Sequence, residues 1–157
     1  MAGSQWRSRI GAFIFLAAVA LAAGANDEQQ SRVLGTWLTE GKDGIIQMSV
    51  GAEATYEGRI VGGNHPGRLD EKNPDPTQRN KPLRGQVILR NLHYDGEGKF
   101  SGGTIYEPDT GRTYKCFIEL ISPDTLKLRG FIGISLLGKS QIWTRYTGTT
   151  MDLPVAR

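Results

Sequence analysis

The stretch TYKCFIELISPDTLKLRG, residues 113–130, indicates the fold class. Its first half alternates between apolar and polar side chains, which is the period of an extended strand. The side chains expected on one face, toward a core, are those of Tyr114, Cys116, Ile118 and Leu120. Ser122-Pro123-Asp124 is a turn sequence, and the alternation resumes after it with Leu126 and Leu128. This stretch therefore predicts two antiparallel strands joined by a tight turn.

The rest of the chain repeats this pattern. Short runs rich in Val, Ile, Thr, Tyr and Phe are separated by Gly, Asn, Asp and Pro, and no long stretch shows the 3.6-residue apolar period of a helix. The predicted strands are residues 35–39, 45–50, 54–61, 86–94, 99–106, 113–121, 125–131 and 140–146. Eight short strands in succession favour an all-β fold, an eight-stranded antiparallel up-and-down barrel.

Most connections between these strands are short turns, such as Asp95–Gly98 and Pro108–Gly111. Residues 62–85 are the exception, because this polar, proline-rich connection is too long for a hairpin loop, and loops of that length are usually functional or disordered. Gly102-Gly103 within a strand predicts a bulge or a sharp bend. The run Val87–Leu89 interrupts the alternation, so we expect a bulge or burial of both faces there.

Residues 1–25 have the features of a secretory signal peptide. Arg7 and Arg9 precede an uncharged apolar run, residues 10–23, that is too short to span a bilayer, and small residues lead up to Ala25. Cleavage near Ala25 predicts a periplasmic or secreted bacterial protein. No later apolar run is long enough for a membrane span. The mature chain is then expected to comprise a flexible arm at 26–33, a β-barrel domain at 34–147 and a C-terminal tail at 148–157.

Charge and cysteine content exclude several classes of function. The chain carries a net charge of +3, but Arg7 and Arg9 would be lost with the signal peptide, which leaves 17 basic against 16 acidic residues. The remaining basic residues are scattered, so no nucleic-acid partner is expected. Cys116 is the only cysteine and cannot form an intramolecular disulfide; its strongly apolar strand predicts a buried thiol.

The two histidines, His65 and His93, have no second metal ligand at a suitable spacing, and no phosphate-binding glycine loop or nucleophile motif is present. We therefore expect no metal and no cofactor. The candidate ligand-binding residues are instead tyrosines in or beside strands near glycines, and polar side chains of the long connection. They are Tyr56, Tyr106, Tyr114, Asp70, Lys72, Asn73 and Arg79. An aromatic ring with a polar tip suits an amphipathic ligand, although such rings also simply complete barrel cores.

Several ordered motifs resemble those of the bacterial family called domain of unknown function 2147. They are Gly35-Thr36-Trp37, Asp70–Pro76 with Arg79, Pro82-Leu83 with Gly85, Gly103–Pro108 with Gly111, Leu126–Gly133 with Gly138, and Trp143-Thr144-Arg145. The resemblance covers essentially all of the mature chain. It implies an exported lipocalin-like barrel and supplies no catalytic residues. Family members often have Cys where this chain has Glu57, and sometimes where it has Arg84, so a redox or disulfide role proposed for relatives does not transfer here.

Trp37 in the first strand and Arg145 in the last resemble the Trp and Arg that close one end of lipocalin barrels. Barrel closure brings the first and last strands together. An arginine over a tryptophan ring then gains a cation–π attraction of about 0.5–2 kcal/mol. The expected role of this pair is structural.

Three functions remain open on these grounds. The first is an exported binding module that holds a small apolar or amphipathic molecule in a barrel with one open end. The second is an envelope protein-interaction module with a filled barrel. Catalysis, for example by a hydrolase, ranks last because no catalytic constellation is visible. The sequence does not indicate the oligomeric state.

Overall fold

The structure is a computed structural model that describes residues 27–154. Eight strands form one closed antiparallel barrel in which each strand pairs with the next along the chain and the last returns to the first. The strands are β1 (Gly35–Leu38), β2 (Gly44–Val50), β3 (Tyr56–Gly63), β4 (Val87–Gly96), β5 (Lys99–Glu107), β6 (Arg112–Ser122), β7 (Thr125–Phe131) and β8 (Gly138–Arg145). The predicted all-β, eight-stranded up-and-down barrel is confirmed. The expected signal peptide at 1–25 lies outside the described residues.

The core follows from the alternation of the strands. On β6, Cys116 and Ile118 are buried, and they lie opposite Gly130 and Leu128 of β7. The neighbouring Lys115 is exposed. Regular stretches of strand therefore contribute every second residue to the barrel interior.

The strand register shifts at several places, and two of these irregularities lie where the sequence pattern is interrupted. The pairing of β5 with β6 shifts between Phe100 and Gly103, and the intervening Gly102 has a φ of +74°, which favours glycine. A Cβ at Gly103 would lie 2.6 Å from the carbonyl oxygen of Arg90, so close backbone packing explains the second glycine. In β4 the pairing with β3 shifts between Leu89 and Val87, and the neighbours Ile88 and Leu89 are both buried. Both irregularities coincide with those in the sequence pattern.

One end of the barrel is filled and covered by the N-terminal segment. Residues 27–32, which the sequence predicts as part of a flexible arm, are helical, with Glu28 paired to Arg32 one turn later. The side chains of Gln29 and Gln30 accept hydrogen bonds from the hydroxyls of Tyr94 (2.7 Å) and Tyr56 (3.0 Å). These contacts tie the segment to the end of the barrel that we call the closed end. No helix within residues 27–154 is long and apolar enough to cross a membrane.

The predicted C-terminal tail also contacts the barrel. Asp152 forms an isolated bridge with Gly63 at the end of β3, and the backbone amide of Leu153 donates to the carbonyl of Gly63. The Asp152 carboxylate pairs with Arg84 at 2.9 Å. The tail therefore packs beside the long connection between β3 and β4.

Candidate functional site

A cavity of about 710 Å³ occupies the opposite end of the barrel, which we call the open end. It lies between the turns that follow β1, β5 and β7. Its apolar lining includes Ile88, Ile105, Leu128, Phe131 and Trp143. Its polar lining includes Glu40, Asp43, Glu107, Asp109, Lys139 and Gln141. The open end is thus an apolar pocket with a polar rim.

The wall formed by β7 and β8 gives this pocket its depth. Leu128 lies opposite Gln141, and the Trp143 indole N–H donates to the Gln141 side-chain oxygen at 2.9 Å, so the buried indole has a hydrogen-bond partner. Gly130 lines the cavity beside them. A Cβ at Gly130 would meet Ile105 at 3.5 Å and Tyr114 at 3.8 Å, which are ordinary contacts. The missing side chain therefore leaves usable space.

Tyr106 connects the cavity to the long connection between β3 and β4. Its ring lines the cavity, and its hydroxyl donates to Asp70, 2.6 Å away. The Asp70 side chain is fully buried and also accepts from the Asn73 amide at 2.7 Å. Burial of the phenol and its hydrogen bond to Asp70 raise the pKa of Tyr106 to about 12. Tyr106 is therefore a neutral hydrogen-bond donor at physiological pH.

Tyr114 also lines the cavity. Its hydroxyl lies 3.4 Å from a carboxylate oxygen of Glu107, which accepts a second hydrogen bond from Thr110 at 2.7 Å. Since Glu107 and Tyr114 both face the pocket, they place an acceptor and a hydroxyl together at its rim. Two of the three candidate tyrosines are thus brought together.

Tyr56 is placed elsewhere. It lies at the closed end, where it is buried edge-on against Phe100 with ring centroids 4.8 Å apart. Burial raises the pKa of Tyr56, and the nearby Tyr94 and Asp27 add to the shift. The structure does not bring this residue to the cavity. Chain direction explains the separation, because Tyr56 begins β3 whereas Tyr106 lies near the end of β5, and these positions are at opposite ends of a meander.

The polar candidates of the long connection pack on the turn between β5 and β6. Lys72 donates to the backbone carbonyl of Asp109 at 2.6 Å, and Arg68 pairs with the Asp109 carboxylate. Arg79 donates to the carbonyl of Asn73 at 2.8 Å. The cavity lining includes none of the four candidates from this segment, Asp70, Lys72, Asn73 and Arg79. Asp70 reaches the pocket only through Tyr106.

Sequence reasoning missed the residues of β7 and β8 that form much of the pocket. Leu128, Gly130, Gln141 and Trp143 belong to it, together with Lys139 at the rim. The alternation in the two strands was a usable signal, since it places Leu128 and Gly130 on the inner face of β7. Their position near the turn that follows β7 then assigns them to the open end.

Trp37 and Arg145 meet at the closed end. They are register partners between β1 and β8, and the Arg145 guanidinium carbon lies 3.9 Å from the Trp37 ring centroid. The Trp37 indole N–H donates to the carbonyl of Val33 at 2.9 Å. This fully buried ring helps to fill the end opposite the cavity.

The histidines and the cysteine lie outside this pocket. His65 contacts the side chain of Asn64, and no group of three potential metal ligands occurs among residues 27–154. Burial raises the pKa of the Cys116 thiol to about 12, so it is neutral and a poor nucleophile.

Comparisons with known proteins agree with this geometry. A family model described as an uncharacterized protein conserved in bacteria (DUF2147) matches residues 35–145, which confirms the resemblance found in the sequence. A solved structure, protein HP1028 from Helicobacter pylori, is described as belonging to the lipocalin family. It is similar in fold, with a TM-score of 0.65 and 20% identity over 73% of this chain and 82% of that one. None of the curated proteins matches the chain significantly.

Proposed function

From the premise that this chain belongs to the bacterial DUF2147 family and has a lipocalin-like fold, we propose that it is an exported protein that binds a small amphipathic molecule. The observation that carries the proposal is the cavity at the open end of the barrel. Export is supported by the charged and apolar pattern of residues 1–25.

The dimensions of the cavity suit one small ligand. Its volume of about 710 Å³ falls within the roughly 300–1,000 Å³ of typical ligand pockets. An eight-stranded barrel has an interior that side chains alone can fill, or that holds one such molecule. Here the closed end is filled and the open end is not.

The chemistry of the lining favours an amphipathic ligand. Ile105, Leu128 and Trp143 offer an apolar surface inside, and Glu40, Asp43 and Asp109 lie in the turns at the rim. An apolar body would remain inside the barrel while a polar head reached the rim. The rim includes three carboxylates that have no ion-pair partner among the described residues, those of Glu40, Asp43 and Glu107. We therefore expect neutral or cationic heads to bind better than anionic ones.

Binding accounts for this site better than catalysis does. Nucleophilic catalysis requires an activated nucleophile at the pocket, such as a thiol or hydroxyl beside a histidine. The neutral Cys116 thiol and both histidines lie away from it, and Tyr106 is held protonated. A purely envelope protein-interaction role would not need the empty volume.

Substitution of Gly130 by Phe tests the binding proposal directly. The new ring would enter the cavity, because a Cβ at this position meets only ordinary contacts. The mass of the protein from the periplasmic fraction would first be measured by mass spectrometry. We expect the mass of a chain that begins at Asn26. Titration with the neutral apolar fluorophore N-phenyl-1-naphthylamine would follow. We expect Gly130→Phe to weaken binding at least tenfold, since a filled pocket excludes the probe.

Gly67→Phe is the matched control, because the same ring is added on the long connection where nothing lies within 4 Å. It should bind the fluorophore as the unaltered protein does. Equal affinity in both variants, or no saturable binding by the unaltered protein, would contradict the proposed function.

A further inference from the structure

The turn between β7 and β8, which we call the apolar finger (residues 131–138, FIGISLLG), exposes large aliphatic side chains to solvent. The exposed fractions are 65% for Ile132, 61% for Ile134, 82% for Leu136 and 69% for Leu137. The segment carries no charge. Contiguous exposed apolar groups of this kind mark interaction sites on soluble domains.

Part of the backbone of the finger is hydrogen-bonded within this end of the barrel. The Arg129 guanidinium donates to the carbonyls of Ser135 (2.7 Å) and Leu136 (3.2 Å). The amide of Ile132 donates to Leu137, and that of Leu137 donates to Ile134. Unpaired backbone groups are the main cost of entering an apolar phase. This hydrogen bonding lowers that cost for the carbonyls of Ser135 and Leu136 and for the amides of Ile132 and Leu137.

A basic surface extends from the finger along the outside of β5, β6 and β7 toward the closed end, where Lys99 begins β5. We call it the basic wall; it consists of Lys99, Lys115, Lys127 and Arg129. Glu119 lies among these residues and is paired in register with Lys99 and Lys127. The rings of Phe117 and Phe131 lie on the same face, 6.4 Å apart, and the Lys99 amine lies 5.1 Å from the centroid of Phe117.

Apolar tips next to basic and aromatic side chains are typical of proteins that bind at membrane interfaces. The carboxylates of the rim, Glu40, Asp43 and Glu107, line the cavity and are not part of this outer face. Ile132 and Leu137 belong both to the finger and to the cavity lining. The surface is therefore continuous with the mouth of the pocket.

We propose that the apolar finger and the basic wall form a docking surface for a phospholipid bilayer that carries anionic head groups. The finger enters the interface, and the wall attracts the anionic lipids. The cavity mouth then opens at the membrane surface.

Vesicle co-sedimentation tests this docking. The protein would be purified after export, with its N terminus identified by mass, because residues 10–23 are apolar enough to bind vesicles themselves. The vesicles are mixtures of phosphatidylethanolamine and phosphatidylglycerol, with pure phosphatidylcholine for comparison. Ile134→Ser with Leu136→Ser should lower binding to the anionic vesicles at least tenfold, since inserted aliphatic groups are lost. Lys115→Gln with Lys127→Gln should lower it about fivefold per charge at low salt.

The matched control is Val50→Ser, because this side chain is similarly exposed, at 57%, but lies at the end of β2 toward the closed end and outside β5–β8. This variant should bind like the unaltered protein. Equal binding by all three variants would overturn the proposal, as would the absence of binding to both kinds of vesicle. A third outcome would also overturn the proposal: the protein forms a dimer, does not bind vesicles, and loses the dimer when the finger is substituted. The finger would then be a contact with a second copy of the chain.

Discussion

Arg145 joins the N-terminal segment to the turn between β6 and β7 through its guanidinium. It donates to the backbone carbonyls of Leu34 (2.7 Å), Arg32 (2.5 Å) and Pro123 (2.9 Å) while lying over Trp37. These carbonyls belong to the N-terminal segment and to the turn between β6 and β7. One planar side chain therefore fixes the closed end.

Arg145→Lys should destabilise the protein although it keeps the charge. A lysine has no planar fork and cannot hold carbonyls in these three directions. Hydrogen bonds to charged groups contribute about 1.5–3 kcal/mol each, and partial exposure reduces that figure. We expect the free energy of unfolding in a urea titration to fall by about 1–3 kcal/mol. Arg112→Lys, at an exposed position, is the control; an equal effect of both substitutions would show that the fork is unimportant.

Residue-level prediction from the sequence worked where a pairing rule applied. Trp37 and Arg145 could be placed together because a closed meander makes its first and last strands neighbours. The sequence could not show which tyrosines face the cavity, because a tyrosine in the core and a tyrosine at a ligand site have the same local sequence pattern. Tyr56 packs in the core, whereas Tyr106 and Tyr114 face the cavity.

At the scale of elements, the connection between β3 and β4 is ordered by its own side chains. Asp75 caps the 3-10 turn at Pro76–Gln78 by accepting from the Thr77 amide at 2.9 Å, and Asn73 accepts from the amide of Asp75. Polar turn residues of these types signal this local bonding in the sequence. The sequence could not indicate where the segment packs, because Asp70 and Tyr106 are distant in sequence and come into contact only in the folded barrel.

The burial of Tyr106 and its hydrogen bond to Asp70 lead us to expect a loss of stability in alkali. The pKa of Tyr106 is raised in the folded protein to about 12 from 10, so the folded state retains a proton that the unfolded chain releases. The stabilisation is present below pH 10 and is lost as the pH rises toward 12. Tyr106→Phe removes this titration. Denaturant titrations at pH 9 and pH 11 should therefore show a larger loss in the unaltered protein than in Tyr106→Phe.

Tyr146→Phe is the control for that comparison, since its hydroxyl donates to the backbone carbonyl of Thr150 and not to a buried carboxylate. Its alkaline loss should match that of the unaltered protein. If Tyr106→Phe behaved in the same way as this control, the raised pKa of Tyr106 would not be the source of the alkaline loss of stability.

At the scale of the whole molecule, the order of strands and turns was readable from the sequence because both leave local signals. All eight predicted strands overlap the observed ones, and every predicted strand end lies within two residues of the observed end. The cavity left no such signal. It arises from side chains of β4 to β8 that meet only after closure, including Ile88, Ile105 and Trp143.

The barrel is filled along only part of its axis, and this should produce a gradient of local stability. Trp37, Phe100 and Ile118 are fully buried, whereas Ile105 and Gly130 border empty space and lack partner atoms on one side. Native-state amide exchange should therefore be slowest among the strands around the buried rings. We expect faster exchange, through local opening, toward the cavity.

Gly130→Phe supplies the decisive comparison, because its ring would replace the missing contacts without touching the closed end. Exchange near Ile105 and Tyr114 should slow in this variant, and exchange near Phe100 should change little. A bound amphipathic ligand should slow exchange of the same amides, because it stabilises the folded cavity walls against local opening. Uniform protection against amide exchange throughout the unaltered barrel would show that the empty volume does not lower local stability. The expected difference between the open and closed ends would then be wrong.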